Sequence, residues 1–170
     1  MMESESDRDW FKRVIEPEKP KVYSNVKQIT HWARQYILAK YDRDNSEFSS
    51  TLGANKHKHG THAQFRDEKN RITYWCKFDR ENFTSYGRQF REHKDTVGET
   101  INKDIIDYLE DKDFIIIGKP TAIYIVSVKE IKDVGRDRMN DADKGLQTIS
   151  FPVQILNRLD TLEESFDALD

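Results

Sequence analysis

The spacing of hydrophobic residues along the chain predicts two main helices. In the first helix, apolar side chains recur at intervals of three and four positions and therefore share one face: Val26, Ile29, Ala33, Tyr36 and Ile37. This pattern predicts a helix over residues 25–42, with Ser24 as its N-cap. In the second helix, Thr96 and Glu99 have the spacing of a capping box ahead of an apolar face. That helix is expected to end near Lys112.

Apolar runs with alternating or continuous hydrophobicity predict about five strands. In chain order, the predicted strands are 61–66, 71–79, 114–118, 121–131 and 146–156. The first two flank the turn-like residues 67–70 and are typical of a β-hairpin. The third and fourth are rich in β-branched residues, which favours the centre of a sheet. The order of these elements predicts a single α+β domain with a largely antiparallel sheet and two main helices.

The chain of 170 residues suits one domain, assigned to residues 24–159. Residues 1–23 are expected to form a loose acidic N-terminal arm, and residues 160–170 an acidic C-terminal tail. The single cysteine, Cys76, excludes an intrachain disulfide and is predicted to be a buried thiol on a strand. The apolar runs are too short for a membrane span, and the N-terminus lacks the pattern of a signal peptide. A cytoplasmic protein without a membrane partner is therefore expected.

The net charge of −3 is unevenly distributed along the chain. Residues 56–94 hold ten Lys and Arg against five Asp and Glu, so this segment carries +5 and the rest of the chain −8. A basic segment in an acidic chain favours an anionic partner. Its aromatic residues have two interpretations: they stack on unpaired bases, or they form the core of the hairpin.

These features predict a small soluble nucleic-acid-binding or accessory protein. The basic loop and hairpin 56–94 would contact the phosphate backbone, whose charge dominates such binding. The predicted contact residues are cationic or can become so: Lys56, His57, Lys58, His59, His62, Arg66, Arg71, Lys77, Arg80, Arg88, Arg91 and Lys94.

Three histidines lie within six positions, at His57, His59 and His62, and imidazole is a common zinc ligand. The neighbouring Lys56 and Lys58 add positive charge that opposes a cation. The histidines are therefore assigned to phosphate contact, and neither zinc nor any other cofactor is predicted for the binding protein.

A second interpretation is a magnesium-dependent nuclease with Asp113, Glu130 and Lys132 as its catalytic residues. Asp113 precedes one predicted strand, while Glu130 and Lys132 would end the next and share one face. The chain contains four acid-x-Lys triplets, so this triplet alone is weak evidence. A third interpretation is a protein-interaction or oligomeric structural module, whose partner is another protein or a second copy of the chain and whose acidic tails mask the basic face.

Overall fold

The computed structural model describes residues 5–41, 48–50, 62–81, 84–87, 96–140 and 146–162. This part of the chain forms four α-helices: α1 Asp7–Trp10, α2 Val26–Tyr41, α3 Lys103–Tyr108 and α4 Val128–Val134. It also forms ten strands: β1 Phe48–Ser50, β2 His62–Asp67, β3 Ile72–Phe78, β4 Thr84–Gly87, β5 Thr96–Asn102, β6 Phe114–Lys119, β7 Ala122–Ser127, β8 Arg136–Asn140, β9 Leu146–Pro152 and β10 Asn157–Arg158. A π-helical turn at Phe11–Ile15 and 3-10 turns at Glu16–Glu18 and Val153–Ile155 complete the elements.

The strands form two sheets. Together with the α-helices, these sheets confirm the predicted α+β class. Six strands are ordered β1-β2-β3-β6-β7-β10, and four are ordered β4-β5-β9-β8. Every pairing is antiparallel except that of β3 with β6, so the six-stranded sheet is mixed. The prediction of about five strands was too low, because the five predicted segments correspond to β2, β3, β6, β7 and β9. The missed strands are short or polar and lack a strong apolar signal.

The centre of the six-stranded sheet is buried on both faces, which explains the continuous apolar run in β6. One face packs against α2, and the other packs against α3, α4 and the four-stranded sheet. Successive residues of β6 alternate between the two cores: Phe114 and Ile116 face α2, while Ile115 and Ile117 face the second sheet. Cys76 is fully buried on β3, as predicted, and burial raises the pKa of its thiol.

Helix α2 confirms the strongest helical prediction, but its N-cap is Asn25 and not Ser24. Asn25 Oδ1 accepts a hydrogen bond from the Gln28 N–H at 2.9 Å, and Gln28 Oε1 accepts one from the Ser24 N–H at 2.6 Å. The helix approaches β6 closely at Gly118, where an added Cβ would lie 2.3 Å from Ile29 Cδ1.

The capping-box prediction at Thr96 and Glu99 is wrong, because these residues lie in β5 and the helix begins only at Lys103. Strand β5 pairs along five positions with β9, from Gly98 opposite Pro152 to Asn102 opposite Thr148. This pairing between distant segments outweighs the local capping signal.

The segments predicted as a loose arm and an acidic tail both contribute to the packed part of the protein. Phe11, Tyr23 and Leu162 are buried in the core that contains α2. The Asp160 carboxylate, also buried, accepts hydrogen bonds from the Tyr23 hydroxyl at 2.8 Å and the Ile123 N–H at 3.1 Å. Residues 163–170 lie outside the described residues. None of the helices in the described ranges is long and apolar enough to cross a membrane.

Candidate functional site

Four charged side chains meet at the carboxyl ends of the parallel strands β3 and β6. Lys77 lies opposite Ile117 in this pair, and Lys119 follows Ile117 by two positions, so both lysines project from the face that packs against the four-stranded sheet. Glu99 reaches them from β5 in that second sheet, and Asp79 directly follows β3. We refer to Lys77, Asp79, Glu99 and Lys119 as the ionic cluster.

The contacts within the ionic cluster join the two sheets. Lys77 Nζ donates to Glu99 Oε1 at 3.0 Å and to the Thr100 carbonyl at 3.2 Å. Lys119 Nζ donates to Asp79 Oδ2 at 3.1 Å and to the Glu81 carbonyl at 2.8 Å. Lys119 Nζ also lies 3.3 Å from Glu99 Oε2. Each lysine therefore contacts one oxygen of the same Glu99 carboxylate.

The ionic cluster is largely removed from water. The side chains of Lys119, Glu99 and Lys77 are 9%, 10% and 12% exposed, whereas Asp79 is 33% exposed. Burial alone would raise the pKa of Asp79, but the Glu81 N–H and the Lys119 ammonium hold that pKa below its ordinary value. Two cations and two anions balance, which is how proteins accommodate charges in a low-dielectric interior.

Of the twelve predicted nucleic-acid contacts, four have described side chains, and these four do not form one surface. Arg66 and Arg71 lie near the β2–β3 turn, where Arg66 donates to Thr73 Oγ1 at 2.7 Å and Arg71 is exposed. Lys77 and Arg80 lie at the other end of β3, about 20 Å away for a strand of this length. Arg80 is exposed beside the Phe78 ring, whereas the Lys77 ammonium belongs to the ionic cluster.

The remaining eight predicted contacts cannot be placed in the same way. Only the backbone of His62 is described, and seven residues lie outside the described ranges: Lys56, His57, Lys58, His59, Arg88, Arg91 and Lys94.

The hairpin aromatics with described side chains belong to the core. Phe65, Tyr74, Trp75 and Phe78 are each at most 8% exposed. The Phe65 ring stacks on Tyr74 at a centroid distance of 4.9 Å, and Tyr74 stacks on Phe114 at 5.6 Å. The core interpretation of these four aromatics is confirmed, so they are not available to stack on bases.

Asp113, the first residue of the nuclease alternative, is buried at the amino ends of β3 and β6. Its Oδ1 accepts a hydrogen bond from the Thr73 N–H and its Oδ2 one from the Glu110 N–H, both at 2.8 Å. Each carboxylate oxygen is therefore engaged by a backbone donor, which gives Asp113 a structural role in holding the loop before β6 against β3.

The prediction that Glu130 and Lys132 end a strand is wrong, because β7 stops at Ser127 and both residues lie in α4. Ser127 caps this helix by accepting the Glu130 N–H at 3.1 Å. Lys132 Nζ donates to Asp111 Oδ1 at 2.8 Å, which lowers the pKa of Asp111. Two positions apart on a helix, Glu130 and Lys132 do not share the face that a strand would have given them. Among the described side chains, no group of three or more His, Cys, Asp or Glu is arranged to hold a metal ion.

Glu99 and Lys119 were missed as site residues by sequence reasoning. Lys77 and Lys119 carry charge inside or at the end of strands predicted to be buried, and a buried lysine requires a partner. That requirement was the available signal, although it does not identify the partner.

No family model, curated protein or solved structure matches the chain, so its function is inferred from its own residues.

Proposed function

We propose that the protein binds nucleic acid by contacting backbone phosphates with its basic segment, residues 56–94. The observation that carries this proposal is the charge of +5 in that segment, within a chain of net charge −3. Phosphate contacts of this kind are independent of base sequence and weaken steeply as salt rises.

The charge excess is concentrated at the two ends of the segment. Residues 62–81, which comprise the β2–β3 hairpin and the three residues after it, hold five Lys and Arg against four Asp and Glu and are almost neutral. Residues 56–61 add two lysines, and residues 82–94 add three cations against one acid. The segments 56–61 and 88–94 are therefore the proposed phosphate contacts, with the hairpin as their support.

The described residues that flank the two segments lie on β2, β4 and β5, and the ionic cluster joins β5 to β3, the partner of β2. His62, which follows the first segment, pairs with Lys77 of β3. Gly87 and Thr96, which flank the second segment, pair with each other where β4 meets β5. Strand β5 contacts Lys77 through Glu99, three residues after Thr96. These contacts connect the described residues that flank both basic segments to the carboxyl end of β3, which supports their proposed role in one binding site.

Fluorescence anisotropy with a labelled single-stranded oligonucleotide, measured at several salt concentrations without magnesium, tests the proposal. The double variants Lys56→Ala/Lys58→Ala and Arg88→Ala/Arg91→Ala should each weaken binding and reduce the salt slope by up to about two counterions. The matched control is Lys12→Ala/Lys21→Ala, which removes the same charge from exposed positions near the N-terminus. An equal loss in the control, or no binding by the wild type, would contradict the proposal.

A further inference from the structure

The ionic cluster places two ammonium groups around one carboxylate that belongs to a different sheet. Lys77 Nζ contacts Glu99 Oε1 at 3.0 Å, and Lys119 Nζ lies 3.3 Å from Glu99 Oε2. We infer that Lys77 and Lys119 form a binding site for a phosphate-like oxyanion, and that Glu99 occupies this site as an internal competitor. The inference rests on the proposed function for the identity of the natural ligand, a backbone phosphate.

The two lysines have contacts that hold them in position without Glu99. Lys119 Nζ is also bound by Asp79 Oδ2 and the Glu81 carbonyl, and Lys77 Nζ by the Thr100 carbonyl. Their strands are paired in parallel, with Lys77 opposite Ile117 and Phe78 opposite Gly118. Removal of the Glu99 carboxylate would therefore leave a pre-organised pair of cations, which reduces the cost of binding an anion.

Glu99 satisfies only half of its own hydrogen-bonding requirement in this position. Its Oε1 accepts from Lys77 Nζ and from the Thr100 N–H, both at 3.0 Å. Its Oε2 is buried and has no hydrogen-bond donor among the described residues, although the Lys119 charge is nearby. A buried oxygen without a donor costs free energy, and this cost favours exchange of Glu99 for an external oxyanion.

The net charge of the ionic cluster favours binding of an anion when the Glu99 carboxylate is removed. With Glu99 present, two cations face two carboxylates, since Asp79 contacts Lys119. Without the Glu99 charge, the ionic cluster itself holds two lysines and one carboxylate, that of Asp79, so its net charge changes from zero to +1. Oxyanions bind strongly to such charge-assisted donors, with phosphate presenting two oxygens much as a carboxylate does.

Isothermal titration with inorganic phosphate tests the site directly. Glu99→Gln, which keeps the side-chain shape, should bind one phosphate at least tenfold more tightly than the wild type. Glu18→Gln is the matched control, because it makes the same charge change at an exposed residue and should behave as the wild type. Adding Lys119→Met to Glu99→Gln should abolish the gain. Equal phosphate affinity in Glu99→Gln and Glu18→Gln, or a gain that survives Lys119→Met, would overturn the inference.

A measurement on the wild type decides the question if Glu99→Gln does not fold. In an NMR titration with phosphate, the Thr100 amide should shift progressively, because its N–H loses Glu99 Oε1 as acceptor. The Thr73 amide, which donates to Asp113 Oδ1, serves as the internal control and should not move. An unchanged Thr100 signal would overturn the inference. Phosphate binding without oligonucleotide binding would contradict only the proposed function.

Discussion

The two ends of the parallel pair β3–β6 both bury charge, and they do so by different means. At the amino ends, the Asp113 carboxylate is held by two backbone N–H groups, from Thr73 and Glu110. At the carboxyl ends, Lys77 and Lys119 donate to the carboxylates of Glu99 and Asp79 as well as to two backbone carbonyls. Backbone donors are fixed by the fold, whereas a side-chain carboxylate can be exchanged for another anion. The amino ends of β3 and β6 are therefore structural, and the carboxyl ends of these strands are the better candidate for a functional site.

Removal of the Lys119 ammonium group from the carboxyl ends of β3 and β6 should have the largest effect on stability. Lys119→Met leaves Glu99 Oε2 and Asp79 Oδ2 without their ammonium partner, and breaking a buried ion pair in this way typically costs about 3–5 kcal/mol. Urea denaturation followed by circular dichroism measures the loss. Combining Lys119→Met with Glu99→Gln should recover about 1–3 kcal/mol relative to the sum of the single variants, because the two residues are in contact. Additive losses would mean that the pair is not energetically coupled.

At the amino ends of β3 and β6, Asp113→Ala should lower the free energy of unfolding by about 2–4 kcal/mol, because two backbone N–H groups lose a charged acceptor. The same denaturation experiment measures this loss. The comparison becomes sharper when phosphate is added: the shift in stability caused by phosphate should be identical in Asp113→Ala and in the wild type. A changed phosphate response would show that the amino end takes part in anion binding.

The smallest effect is expected from Asp79, whose carboxylate is one-third exposed. Because its pKa in the folded protein lies below the ordinary value of 3.8, folding favours the ionised form, and the resulting stability is present above that value. This stability is lost as pH falls through the folded-state pKa. The wild type should exceed Asp79→Asn by less than about 1 kcal/mol at neutral pH, given its partial exposure to solvent. Melting temperatures of the two proteins, measured on acidification from pH 6, should therefore keep their difference down to pH 3.8 and converge below it. A gap that stays constant below pH 3.8 would contradict this assignment.

The elements predicted correctly from the sequence are those with strong local patterns. Helix α2 has an apolar face with helical spacing, and β6 and β7 have β-branched runs, so neighbouring residues alone identify them. Strand β5 was mistaken for a helix start because its structure depends on pairing with β9, about fifty positions later. The ionic cluster could not be predicted for the same reason. Lys77, Glu99 and Lys119 are about twenty positions apart and meet only after both sheets have formed.

The parallel pairing of β3 and β6 also has a consequence for the order of folding. Strands β6 and β7 are joined by the two residues Pro120 and Thr121, whereas the contact between Thr73 and Asp113 spans 40 positions. Closing the longer loop costs about 2–3 kcal/mol more entropy than closing the short one, by the logarithmic dependence on loop length. The β6–β7 hairpin is therefore expected to form first, because it closes the shorter loop. Strand β3 can pair with β6 only after the longer loop between them has closed. Contacts of such high sequence separation slow folding in small proteins.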